Sequence, residues 1–107
     1  PQTTVTPEIR VDCPDTLKFQ LVDQVRTQLA AYLAEGQPVG ASNLRMRELV
    51  TIDGVRAIFE DGWGLIRASN TQPALVLRFE APSPARLDVI RATIETELAQ
   101  ARRVLST

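Results

Sequence analysis

Between residues 48 and 80 the chain is cut into short runs by two Asp-Gly pairs and one polar break, and this punctuation limits the fold more than any other feature. Glu48 to Ile52 and Val55 to Glu60 flank Asp53-Gly54, and Asp61-Gly62 leads into Trp63 to Ala68. A polar stretch, Ser69-Asn70-Thr71-Gln72-Pro73, then separates that run from Ala74 to Glu80. Asp-Gly tolerates the positive φ that a two-residue type I′ turn requires, so the spacing predicts successive hairpins and antiparallel pairing. An earlier run, Glu8 to Cys13, alternates Ile9, Val11 and Cys13 with Arg10 and Asp12, the period of a half-buried strand.

Two longer stretches have the period of a helix. Phe19, Val22, Val25, Leu29 and Leu33 recur every three or four residues, widened by Leu21 and Tyr32, with Asp15 placed to cap the start and Gly36 to stop the end. Ser83-Pro84 opens the second, where proline's missing N–H costs nothing at the first helical position. Leu87, Ile90, Ile94, Leu98, Ala101 and Leu105 mark its apolar face. Residues 36–46 lack periodicity and read as a connecting loop. The order strand, helix, strands, helix predicts an α+β layer with two helices on one face of an antiparallel sheet.

Composition narrows the chemistry. Twelve basic side chains, only one of them Lys, against thirteen acidic ones give a net charge of −1. That removes the general attraction to nucleic acid or to an anionic membrane surface. With no His and one Cys, a His/Cys zinc site, a Ser-His or Cys-His nucleophile pair and an internal disulfide are all excluded. The longest apolar stretch is Leu29 to Ala34, well short of a membrane span. The opening residues are polar, without a basic start or an apolar run, so a cytoplasmic location is expected. Residues 1–7 read as a linker and 8–107 as one domain, and the Pro start suggests a piece of a longer protein.

The polar break is the candidate site. Arg67, Ser69, Asn70 and Thr71 supply a guanidinium, two hydroxyls and a carboxamide within five residues, and no acid occurs between residues 62 and 73. A phosphate dianion needs convergent donors of this kind, and a turn can add backbone N–H groups. The same residue types are also ordinary turn formers, because Ser and Asn bond their own backbone. Spacing alone leaves both readings open.

Residues 61–81, DGWGLIRASNTQPALVLRFEA, resemble the last domain of the α-D-phosphohexomutases, whose phosphate-binding loop has the pattern R-x-S-N-T-x-P. Arg67, Ser69, Asn70, Thr71 and Pro73 match it, and TPEIRV, KFQLVDQV and TIDGVRAIFEDGWG extend the likeness over nearly the whole chain from Thr6. The resemblance implies a TBP-like α+β fold, an antiparallel four-stranded sheet with two helices packed on it. It also implies a four-domain parent that isomerises mannose or glucose 1- and 6-phosphates, with a phosphoserine, a Mg²⁺ loop and a sugar-reading loop on the other three domains. By that likeness Arg67, Ser69, Asn70 and Thr71 hold the non-reacting phosphate, Pro73 stiffens the loop exit, and the domain closes the cleft. Arg78 is a weaker candidate, with Glu60 or Glu80 as competing partners.

The chain itself carries no serine loop with His, and Asp53 and Asp61 stand singly, so no catalytic residue, metal ligand or cofactor of its own is expected. Trp63 is read as packing at the domain surface or against a partner domain, Cys13 as a small buried hydrophobe, and Glu95 and Glu97 as solvated helix-face acids. A free-standing regulatory or protein-interaction domain of the same fold is the alternative from another functional class. An RNA-binding sheet lacks the aromatics and the basic face it would need.

Overall fold

The computed structural model describes residues 3–106. Six strands and two helices follow one another as β1 (Thr4–Val5), β2 (Ile9–Asp12), α1 (Asp15–Ala34), β3 (Glu48–Val50), β4 (Val55–Ile58), β5 (Trp63–Ala68), β6 (Ala74–Ala81) and α2 (Pro84–Leu105). All pairing is antiparallel, in the order β3, β4, β5, β6, with β1 and β2 both lying along the free edge of β6. The sheet therefore has six strands, not four. β3 to β6 alone make up the four, and the N-terminal segment adds two more pieces broken at Pro7.

That break has a definite geometry. Val5 lies opposite Glu80 and Ile9 opposite Leu77, so Thr6, Pro7 and Glu8 face only two residues of β6. Thr6 bridges the gap: its N–H donates to the Phe79 carbonyl at 3.0 Å, and its hydroxyl accepts from the Phe79 N–H at 3.0 Å. Pro7, which has no N–H to donate, sits where an edge strand can tolerate it. Residues 3–7 of the segment expected to be a linker thus complete the sheet edge, while residues 1 and 2 lie outside the described residues.

Both helices cover one face of the sheet, where Val55, Ala57, Ile66, Leu75, Leu77 and Phe79 meet Leu21, Val25 and Leu29 of α1 and Ile90, Ile94 and Leu98 of α2. Each of the larger of these buried side chains, Val, Leu, Ile or Phe, contributes about 1.5–3 kcal/mol. The face of α2 is the one that its spacing predicts, and Ser83 caps it by accepting from the Arg86 N–H at 3.2 Å. The buried row of α1 is Lys18, Leu21, Val25 and Leu29: the spacing names the last three, but Lys18 is buried where Phe19 was expected. Phe19 is 60% exposed. No side chain caps α1. Pro14 occupies the cap position, and Asp15 is the first helical residue.

The two Asp-Gly pairs behave differently. Asp53 and Gly54 both take positive φ (56° and 105°), though the connection spans 51–54 rather than two residues. In the second hairpin Phe59 donates to the Gly62 carbonyl at 2.8 Å, placing Glu60 and Asp61 at the tip. Gly62 is required there for space: a Cβ would lie 2.2 Å from the Glu80 carbonyl oxygen. The irregular 36–46 segment is no passive connector, because it buries Val39, Leu44 and Met46 in the core.

Candidate functional site

The pleat of β5 sends Gly64, Ile66 and Ala68 toward the helices and Trp63, Leu65 and Arg67 to the opposite, uncovered face. Arg67 is therefore presented next to the strand end, half-exposed and directly beside the 69–73 connection to β6. Two backbone bonds close that connection, Ser69 N–H to the Ala74 carbonyl at 2.9 Å and Ala74 N–H to the Gln72 carbonyl at 2.8 Å. The Ser69 oxygen accepts from the N–H groups of Thr71 at 3.4 Å and Gln72 at 3.2 Å. Those two amides are consumed within the loop and do not form the backbone cradle that the sequence allows. The Ser69 proton stays free to be donated outward. Asn70 and Thr71 are exposed, and their side chains make no hydrogen bond among the described residues.

All four predicted site residues, Arg67, Ser69, Asn70 and Thr71, thus stand at one end of the sheet. Arg67 is not idle. Its Nη2 donates to Glu8 Oε2 at 3.0 Å, with side-chain exposures of 32% and 59%. The carboxylate belongs to the β1–β2 break, so the edge that Pro7 creates places an anion against the Arg67 guanidinium. A cleft of about 230 Å³ runs from Arg67 and Asn70 toward Phe19, Arg26, Thr51 and Asp53, and one of about 300 Å³ lies on the other flank of Arg67 beside Ile52 and Arg56. Arg26 is held by Asp23 at 2.6 Å.

The whole chain can be placed beside known proteins on this geometry. Residues 8–97 match the family model described as phosphoglucomutase/phosphomannomutase, C-terminal domain. The chain belongs to that family. It is 44% identical over 98 residues to a phosphomannomutase/phosphoglucomutase of Pseudomonas putida, covering 92% of this chain and 18% of that protein. It is 43% identical over 91 residues to a phosphoglucomutase of Neisseria gonorrhoeae, covering 85% and 17%. A crystal structure of a phosphoglucomutase/phosphomannomutase family protein from Burkholderia thailandensis superposes with a TM-score of 0.70 at 34% identity, covering 95% of this chain and 18% of that one. The chain thus spans less than one-fifth of the length of the relatives it matches.

Within this phosphohexomutase domain, other singled-out residues separate by environment. Arg78 forms no ion pair with Glu60 or Glu80, and its Nε is buried without a hydrogen-bond partner among the described residues. Trp63 stacks under the Arg56 guanidinium, 4.6 Å from the ring centroid, on the uncovered face. Cys13 is buried, and that burial pushes its thiol above its ordinary value, so it behaves as a hydrophobe. Glu95 pairs with Arg91 at the surface as expected. Glu97 does not conform: it is 3% exposed and accepts from Gln28 Nε2 at 2.9 Å and the Tyr32 hydroxyl at 3.3 Å. Burial, and then this carboxylate, push the Tyr32 hydroxyl above its ordinary value.

Sequence reasoning missed two residues that bear on the loop. Glu8 was read only as the start of a strand, and nothing in its neighbourhood signals a partner 59 positions away. Lys18 has no place in the apolar spacing of the helix, yet it is buried beneath the loop and donates to the Gln72 carbonyl at 3.0 Å. The available signal was its uniqueness, since every other cation in the chain is Arg. No group of three or more His, Cys, Asp or Glu side chains converges among the described residues. No helix among them is long and apolar enough to cross a membrane.

Proposed function

We propose that this chain is the phosphate-holding domain of a cytoplasmic phosphomannomutase/phosphoglucomutase. Arg67, Ser69, Asn70 and Thr71 bind the non-reacting phosphate of a hexose 1- or 6-phosphate, and the domain closes the parent's cleft over it. The observation that carries this reading is how the loop divides its hydrogen bonds. The N–H groups of Ser69, Thr71, Gln72 and Ala74 and the carbonyls of Gln72 and Pro73 are bonded within the fold, while the Asn70 and Thr71 side chains stand exposed beside Arg67 with no acid in the segment. Such a surface offers donors, with Glu8 on Arg67 and Asp53 lining the clefts beside it as the nearby acids.

On this reading a phosphate dianion replaces Glu8 at Arg67 and takes a charge-assisted, two-point contact from the guanidinium. Each charge-assisted bond contributes about 1.5–3 kcal/mol. In the parent, holding the remote phosphate orients the other one at the reacting centre, so binding energy far from the chemistry lowers the barrier there. The chain performs no bond-making step itself. The magnesium ion that the resemblance implies does not fit here, since Asp61 is held by Arg86 at 2.7 Å and Asp53 sits alone in a turn. The metal and the phosphoserine are therefore assigned to the other three domains of the parent.

An amide-shift titration with glucose 1-phosphate and mannose 1-phosphate tests the reading. The expected result is saturable shifts confined to residues 67–73 and abolished in Arg67→Ala. With one-sided contacts the affinity belongs in the millimolar range, about −4 kcal/mol. Shifts absent at large ligand excess would leave a domain of this fold without phosphosugar binding, the regulatory or interaction reading.

A further inference from the structure

We infer that Lys18 is the positioning residue of the 69–73 loop, holding the outward donors in register without touching the ligand; the inference builds on the phosphate reading above. Lys18 is the only lysine in the chain and is 5% exposed. It lies in the first turn of α1, where the partial positive charge of the helix end disfavours a cation. Burial disfavours it further. A side chain in that place is opposed by both effects, so its partners explain its presence. Nζ lies 2.9 Å from Asp15 Oδ1 and donates to the Gln72 carbonyl at 3.0 Å, and it sits 5.2 Å from the Phe19 ring centroid.

Gln72 is the residue between the outward donors and Pro73. Its carbonyl also accepts from the Ala74 N–H at 2.8 Å, while the Pro73 carbonyl accepts from the Cys13 N–H at 2.9 Å. The loop exit is thereby tied on one side to the end of β2 and on the other to α1. Without Lys18 the Gln72 carbonyl keeps its bond from Ala74, and the Asp15 carboxylate, 68% exposed, returns to water. Removing the charge therefore strands no buried polar partner, and the fold is expected to survive it. What is lost is the tether that narrows the loop to one arrangement. A ligand that binds only this arrangement loses affinity in proportion to the fraction of chains that hold it.

Lys18→Met keeps the length of the stem and removes the donor. In ligand-free chain, hydrogen exchange at the Ser69 and Ala74 amides is expected to speed up about tenfold, with amides of β4 and α2 unchanged. Affinity for inorganic phosphate is expected to fall about fivefold. Lys18→Arg, which keeps a charged donor in a bulkier head, is expected to stay closer to wild type than Lys18→Met in both readouts. A role in packing alone predicts the reverse order, and that order overturns the inference. Unchanged exchange at Ser69 and Ala74 in Lys18→Met also overturns it, with or without ligand. If wild-type chain binds no phosphate while exchange responds as expected, the phosphate reading fails and the loop-positioning role stands.

Discussion

Two irregular segments, 36–46 and 69–73, connect regular elements of this domain in opposite ways. The longer one points apolar side chains inward: Val39, Leu44 and Met46 join the core. Its turn is closed by Val39 N–H to the Leu44 carbonyl at 2.8 Å and by the Ser42 hydroxyl donating to the Val39 carbonyl at 2.6 Å. The shorter one buries none of its side chains and is held by its backbone carbonyls and the Ser69 oxygen, leaving the Asn70 and Thr71 side chains outside. A segment anchored through its side chains contributes to stability. One anchored through its backbone keeps its side chains available for a ligand. The two should therefore respond oppositely to substitution.

Leu44→Ala is expected to produce the largest change. Truncating this buried Leu costs about 2–5 kcal/mol in a denaturant melt, while the folded fraction binds phosphate as wild type does. Equal loss of phosphate affinity in the folded fraction would erase the contrast. Arg67→Ala is the complement. Losing the charge-assisted contact weakens phosphate binding by about 1.5–3 kcal/mol, with stability expected within about 0.5 kcal/mol of wild type. Isothermal titration and thermal melts on the same sample check both halves.

A smaller effect concerns the helix side of the long segment. The Tyr32 hydroxyl is pushed above its ordinary value of 10.0, so the folded chain holds that proton more tightly than the unfolded one. Stability from this group is complete below pH 10.0 and is lost as pH rises through the higher folded value. Tyr32→Phe is expected to flatten that alkaline decline in a series of melts from pH 8 to 11. A decline of the same steepness in the variant would remove Tyr32 from the account. The smallest effect is at Glu8. Its exposed pair with Arg67 is worth about 0.2–1 kcal/mol, and Glu8→Gln frees the guanidinium. Phosphate affinity is expected to rise, up to about fivefold, and a fall in the titration would show that Glu8 supports the site.

Much of this domain is legible in one dimension. The face of α2 follows from its period, its start from Ser83-Pro84, and strands β2 to β6 from alternation and turn residues. In α1 the period through Leu21, Val25 and Leu29 holds, but it takes in Phe19 in place of Lys18, because Phe19 has an apolar character that Lys18 lacks. Burial of Lys18 depends on a carbonyl 54 positions away. The second Asp-Gly pair was misread for a similar reason. Gly62 is needed because β6 and α2 approach it, and that proximity exists only after the sheet has formed. β1 has two residues and no period to detect; its pairing with β6 comes from an edge already built.

The candidate site divides along the same line. Sequence alone determined which donors are available, that they are clustered, and that no carboxylate stands among them, because these are properties of neighbours along the chain. It also determined that the chain has no histidine. Tertiary structure decided how the donors are held and what opposes them. Lys18 ties down the Gln72 carbonyl, and Glu8 occupies Arg67 from across the sheet. Contacts between residues more than fifty positions apart depend on strand register and helix placement, which no local pattern encodes.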